Sequence, residues 1–102
     1  MKNEIKALIE TIKNDYAKGS WHPSMIEEFN EGIEYSVGKK YIKIITRNSV
    51  WGFIVNTDSD KKFRKGDILK AVSWAAPARN HARGNILDGG YTIQWTGPLY
   101  MK

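Results

Sequence analysis

Apolar residues near the start of the chain recur at helical spacing. Ile5, Leu8, Ile9, Ile12 and Tyr16 stand at i, i+3, i+4, i+7 and i+11, while Lys2, Glu4, Lys6, Glu10 and Lys13 occupy the other faces. This spacing predicts one amphipathic helix over 3–18, stopped at Lys18-Gly19. A connector, Gly19-Ser20-Trp21-His22-Pro23, leads into Ser24-Met25-Ile26-Glu27. That is capping-box spacing: the serine hydroxyl accepts from the N–H three residues on, and the glutamate reaches back. A short second helix over 25–31, ending at Gly32, follows from it.

From Ile33 the period changes to two. Ile33-Glu34-Tyr35-Ser36 reads as a strand and Gly38-Lys39-Lys40 as a turn. Tyr41–Arg47 is β-branched and aromatic, with Ile42 and Ile44 on one face and Tyr41, Lys43, Ile45 and Arg47 on the other. After an Asn48-Ser49 turn, Val50–Val55 forms the next strand, where Gly52 marks a bulge or a close backbone approach. Asn56–Asp60 is a turn-rich loop, Ile68–Trp74 a fourth strand, and Tyr91–Trp95 a last one that Gly97-Pro98 ends.

Two helices followed by about five strands make a single α+β domain. The strands fit a bent antiparallel sheet or an SH3-like small β-barrel, with the first helix covering one open side. The phrase Phe63-x-x-Gly66-Asp67-Ile68-Leu69 favours the barrel.

Composition narrows the setting. The 102 residues include four Trp, five Tyr and three Phe, enough for an aromatic-rich core. Without cysteine there is no disulfide framework and no thiolate zinc site, which fits a reducing compartment. Charges interrupt MKNEIKALIE where a secretory leader needs an unbroken apolar region, and no run approaches the ~20 residues of a membrane span. The expectation is a cytoplasmic protein with no membrane partner.

Charge separates the two halves. Residues 1–38 hold four Lys against seven acids, a net −3, whereas residues 39–87 hold eleven Lys or Arg against three Asp, a net +8. Such a basic block calls for an anionic partner or for neutralisation by the acidic segment.

The richest stretch is Gly66–Asn85, where Arg79, His81 and Arg83 alternate shortly after Pro77. In an extended loop all three point the same way, and guanidinium groups take phosphate or carboxylate bidentately. Lys61, Lys62, Arg64 and Lys65 form a second basic cluster, and Trp51 and Trp74 can stack on bases. With Asn85, which closes the loop, these residues define a candidate face for nucleic acid or a nucleotide-like anion. The bland alternative keeps both tryptophans in the core and pairs the arginines with loop carbonyls, Asp67 or Asp88.

No catalytic residue or cofactor is called for. His22 and His81 lack ligand neighbours for a metal, and Lys61-Lys62 stand where a calcium loop beginning at Asp58 and Asp60 needs carboxylates. Ser73 has no G-x-S-x-G elbow, and Gly84 and Gly89-Gly90 match no phosphate-cradling motif. A small hydrolase or nuclease using His81 is the enzymatic alternative.

The segments VWGFI (50–54), GDILKAVSWAAPARNHARGNI (66–86) and WTGPLY (95–100) resemble a family of small proteins encoded by tailed bacteriophages. The likeness covers about the C-terminal half. It implies a phage origin and action in the infected bacterial cytoplasm, and it carries no catalytic residues over. The leading expectation is an accessory binding protein for nucleic acid or a phosphate-bearing ligand. The alternative is a host-takeover or anti-defence factor that binds a host protein; the oligomeric state is open.

Overall fold

The computed structural model describes residues 1–19, 21–47 and 49–98. Ser20 of the connector, Asn48 of the turn and residues 99–100 of the WTGPLY segment lie outside them.

Helix α1 (Lys2–Ala17) buries Ile5, Leu8, Ile9, Ile12 and Tyr16, the stripe read from the spacing. Each buried aliphatic side chain contributes about 1.5–3 kcal/mol of transfer free energy, so this stripe fixes the helix to the sheet. Helix α2 (Pro23–Gly32) begins earlier than the capping box implied. His22 is its N-cap, with Nδ1 accepting from the Ser24 backbone N–H at 3.2 Å. Pro23 then occupies the first helical position, where its fixed φ suits the helix and its missing N–H goes unneeded.

Strands β1 (Ile33–Val37), β2 (Tyr41–Thr46), β3 (Ser49–Val55) and β4 (Ile68–Lys70) form an antiparallel sheet in that order. Among the described residues β1 and β4 do not pair. The domain therefore adopts the antiparallel-sheet form of the α+β expectation and not the SH3-like barrel. A separate two-stranded hairpin joins β5 (Ile93–Gln94) to β6 (Gly97–Pro98), so Gly97-Pro98 pairs back instead of merely ending a strand.

The register shifts between Ile44, which pairs with Gly52, and Ile45, which pairs with Val50, leaving Trp51 as the extra residue of a bulge in β3. A Cβ at Gly52 would stand 2.8 Å from the Leu69 carbonyl oxygen and 3.2 Å from Pro98. Glycine is needed there because β4 and β6 close on the backbone.

The sheet has a core on each face. Toward the helices, Ile42, Ile44, Trp51, Ile54 and Ile68 join the α1 stripe, Phe29, Ile86 and Ile93. Toward the loops, Phe53, Val55, Phe63 and Leu69 form a smaller core flanked by Tyr41, Val50, Ala71 and Ala82. Two polar contacts lock the C-terminal hairpin to this frame. Trp51 Nε1 donates to the Gln94 carbonyl at 2.8 Å, and the Trp95 backbone N–H donates to the Asp15 carboxylate at 2.8 Å.

β4 is shorter than the strand expected over Ile68–Trp74. The chain leaves the sheet after Lys70 and turns, with the Val72 and Ser73 N–H groups donating to the Ala76 carbonyl. It then returns along β4: Ala78 N–H donates to Lys70, Arg83 N–H to Ile68, and Ile68 N–H to the Gly84 carbonyl. Ala71–Trp74 therefore belongs to an exposed turn.

Candidate functional site: a basic cleft at the loop end of the sheet

The turn after β1 and the loop after β3 meet at one end of the sheet. Asn56 holds them together: its backbone N–H donates to the Lys40 carbonyl and its Nδ2 to the Gly38 carbonyl, both at 2.8 Å. The loop is stiffened locally by its own polar side chains, as Thr, Ser and Asp do in turns. Ser59 N–H donates to Thr57 Oγ1 at 3.2 Å, and the N–H groups of Lys62 and Phe63 donate to Asp60 Oδ1 at 2.9 and 3.0 Å.

The result is a cleft of about 510 Å³. Lys39 and Lys40 line it from the turn, Thr57, Ser59, Asp60 and Lys61 from the loop, and Arg79 from the segment returning along β4. Arg79 Nη2 lies 2.9 Å from both oxygens of Asp60, and its Nη1 donates to the Tyr41 hydroxyl. The Arg79 hydrogen bond is the main cause that holds the Asp60 carboxyl well below the usual range, followed by the N–H groups of Phe63 and Lys62. In return Asp60 raises the Arg79 guanidinium above its ordinary value.

The electrostatic balance is therefore lopsided. The carboxylate in the cleft is already engaged, while no carboxylate among the described residues lies within ion-pair distance of Lys39, Lys40 or Lys61. Lys39, Lys40 and Lys61, with Thr57 and Ser59, whose hydroxyls bond each other at 2.8 Å, line a space that fits a phosphate-sized anion.

The cationic character continues across the loop-side face. Lys62 Nζ lies 5.5 Å from the Phe63 ring centroid, Arg79 packs over the same ring at 4.9 Å, and Lys40 lies 5.5 Å from the Tyr41 ring. Lys43 Nζ sits 5.0 Å from the ring centroid of Trp74, a residue 55% exposed.

The residues singled out in the sequence divide sharply. Lys61, Lys62, Trp74 and Arg79 come together on this face. Arg64 is exposed but pairs with Asp88, which raises the guanidinium above its ordinary value. His81 is exposed on the return segment. Arg79, His81 and Arg83 do not converge, because the return segment is not a regular strand.

Three candidates are internal. Trp51 is 2% exposed and belongs to the helix-side core, as the bland alternative had it. Arg83 is buried, with Nε donating to the His81 carbonyl at 3.2 Å. Asn85 is buried and fixes the loop: Nδ2 donates to the Lys65 carbonyl (3.0 Å) and to Asp67 Oδ1 (2.8 Å), while Oδ1 accepts from the Leu87 and Asp88 N–H groups.

Conversely, Lys39, Lys40, Lys43 and Asp60 were not singled out as site residues. Lys39-Lys40 reads as turn chemistry in a linear sequence; its position at the start of the basic block was the available signal.

Among the described residues no group of three or more His, Asp or Glu is placed to hold a metal ion. No described helix is long and apolar enough to cross a membrane.

The chain is similar to β-fructofuranosidase 1 of Zea mays, 29% identical over 113 aligned residues that cover 93% of this chain and 16% of the maize protein. The chain thus spans about a sixth of that relative's length. No solved structure matches. A family model described as a family of unknown function, DUF7717, matches residues 1–101, and the chain belongs to that family.

Proposed function

We propose that this domain is a binding module whose basic cleft engages nucleic acid or another phosphate-bearing ligand. The observation that carries the reading is the convergence of Lys39, Lys40 and Lys61 on a cleft where the carboxylate, Asp60, is already held by Arg79. Phosphate oxygens accept from lysine ammonium groups and hydroxyls, and water released from a concave site strengthens the attraction. The sequence resemblance supports a phage accessory protein acting in the bacterial cytoplasm.

A binding role also accounts for the chemistry better than hydrolysis. Sugar hydrolysis, suggested by the maize relative's name, uses a pair of carboxylates. The residues lining the cleft supply Asp60 alone, engaged by Arg79.

A second reading, inhibition of a host protein by direct contact, is favoured by one feature. Val72 and Trp74 are 70% and 55% exposed on the turn after β4, an apolar protrusion.

Binding of a labelled oligonucleotide, measured by fluorescence anisotropy at low salt, separates the two. Wild type is expected to bind, and a Lys39→Ala/Lys40→Ala variant to bind about tenfold or more weakly with its melting temperature unchanged. Absence of binding to DNA, RNA and nucleotides overturns the first reading. A bacterial partner that survives nuclease treatment then supports the second.

A further inference from the structure

We infer that the ligand of this face is a single-stranded nucleic acid, with an unpaired base stacked on Trp74 and its flanking phosphates held by Lys43 and the cleft lysines. This rests on the proposed function of the cleft and narrows it.

Trp74 is presented in a defined position. The turn that carries it is pinned by the Ala76 carbonyl, which accepts from both Val72 and Ser73, and by the bridge between Ala71 and Pro77 at its base. A large aromatic left 55% exposed on an anchored turn costs solvation without adding to the core. A base stacked on such a ring contributes enough to offset that.

The cation beside the ring extends the case. Lys43 Nζ lies 5.0 Å from the Trp74 centroid and 5.9 Å from that of Phe53, so Lys43 projects on the loop-side face. Tyr41 precedes it by two positions on the same face, roughly 6.6 Å along the strand. The Tyr41 hydroxyl accepts from Arg79, which lines the cleft. Trp74, Lys43 and the cleft therefore form a row along β2. A row alternating ring and cation fits an extended chain alternating base and phosphate.

Duplex nucleic acid does not fit this row. In a duplex both faces of each base are covered by its neighbours, and only the edges remain open to a helix or β-ribbon entering a groove. Here α1 and α2 pack on the opposite face of the sheet, and residues 1–38 that contain them carry a net −3. An exposed indole beside a cation has use for the π-face of an unpaired base, which a single strand offers.

The test uses the full chain and four probes at low salt: a short oligothymidylate, a duplex of the same length, ATP, and vesicles of anionic phospholipid. The expected result is tighter binding of the single strand than of the duplex. Trp74→Ala should then weaken single-strand binding about tenfold to a hundredfold, and Trp74→Phe should restore most of it. Because Trp74 is exposed, its removal leaves the fold intact, checked by an unchanged melting temperature. Equal binding of single strand and duplex, indifferent to Trp74→Ala but weakened by Lys39→Ala/Lys40→Ala, overturns this inference while leaving the phosphate cleft standing. Binding to vesicles alone, dependent on Trp74, also overturns it. Failure of all four probes overturns both.

Discussion

Nη2 of Arg79 lies 2.9 Å from each oxygen of the Asp60 carboxylate, while Nη1 of the same guanidinium donates to the Tyr41 hydroxyl. One side chain thereby joins the loop after β3, the edge of β2 and the segment returning along β4. It also neutralises the carboxylate that would otherwise repel an anion in the cleft. The Asp60 side chain is 2% exposed beneath it, which makes the pair a structural clasp as much as an electrostatic one.

That clasp has a pH signature. Asp60 is held below its ordinary value, chiefly by the Arg79 hydrogen bond. A carboxyl depressed on folding contributes stability that is full above its unfolded value, about pH 4, and is lost as pH falls toward the folded value. The melting temperature of the wild type is therefore expected to drop on acidification below about pH 4. Asp60→Asn should melt lower at neutral pH and show a shallower acid decline. Parallel acid profiles for the two proteins would remove the clasp from the stability of the loop.

Asn85 makes a sharper substitution test than any residue on the surface. Its Nδ2 donates to Asp67 Oδ1 at 2.8 Å in a buried setting. Asn85→Asp replaces that donor by a second carboxylate, leaving like charges in contact. A loss of about 3 kcal/mol is expected at neutral pH. The loss should shrink on acidification, because the crowded carboxyl has a raised value and protonates early. Urea melts at the two pH values check both the size and the sign.

Trp51 tests the assignment of the tryptophans. It packs in the helix-side core and anchors the C-terminal hairpin through the Gln94 carbonyl. Trp51→Ala is expected to destabilise by about 3–5 kcal/mol, whereas Trp74→Ala should change stability by less than about 0.5 kcal/mol. Equal effects in thermal melts would contradict the division between core and surface tryptophan.

Much of the fold was legible because the local signals were strong. The α1 stripe, the three strands between Ile33 and Val55 and the close approach at Gly52 are used much as read, whereas Tyr91–Trp95 contracts to Ile93–Gln94. What escaped was decided by competition between neighbours. Ser24 and Glu27 offered a capping box, but His22-Pro23 starts the helix first. Ile68–Trp74 is largely apolar and reads as one strand, yet the Ala76 carbonyl draws the chain into a turn after Lys70.

The site was legible by composition more than by position. The basic block and Trp74 pointed to the loop-side face, but alternation of Arg79, His81 and Arg83 implied a convergence that an irregular return segment does not provide. Arg83 turns inward to bond the His81 carbonyl, and Arg79 reaches Asp60, nineteen positions away. Lys39-Lys40 join the site because Tyr41 pairs with Val55 and Asn56 ties their turn to the loop that follows. Contacts of that range leave no periodic trace in a single sequence.

The phosphate cleft is tested most directly by the salt dependence of oligothymidylate binding, compared between wild type and a Lys39→Ala/Lys40→Ala/Lys61→Ala variant. Each phosphate contact on a single strand adds about 0.7 to the slope of log affinity against log salt. The expected result is a steep decline for wild type and a slope reduced by about 2 in the variant. Identical slopes, or an affinity indifferent to salt, would contradict the cleft as the binding site.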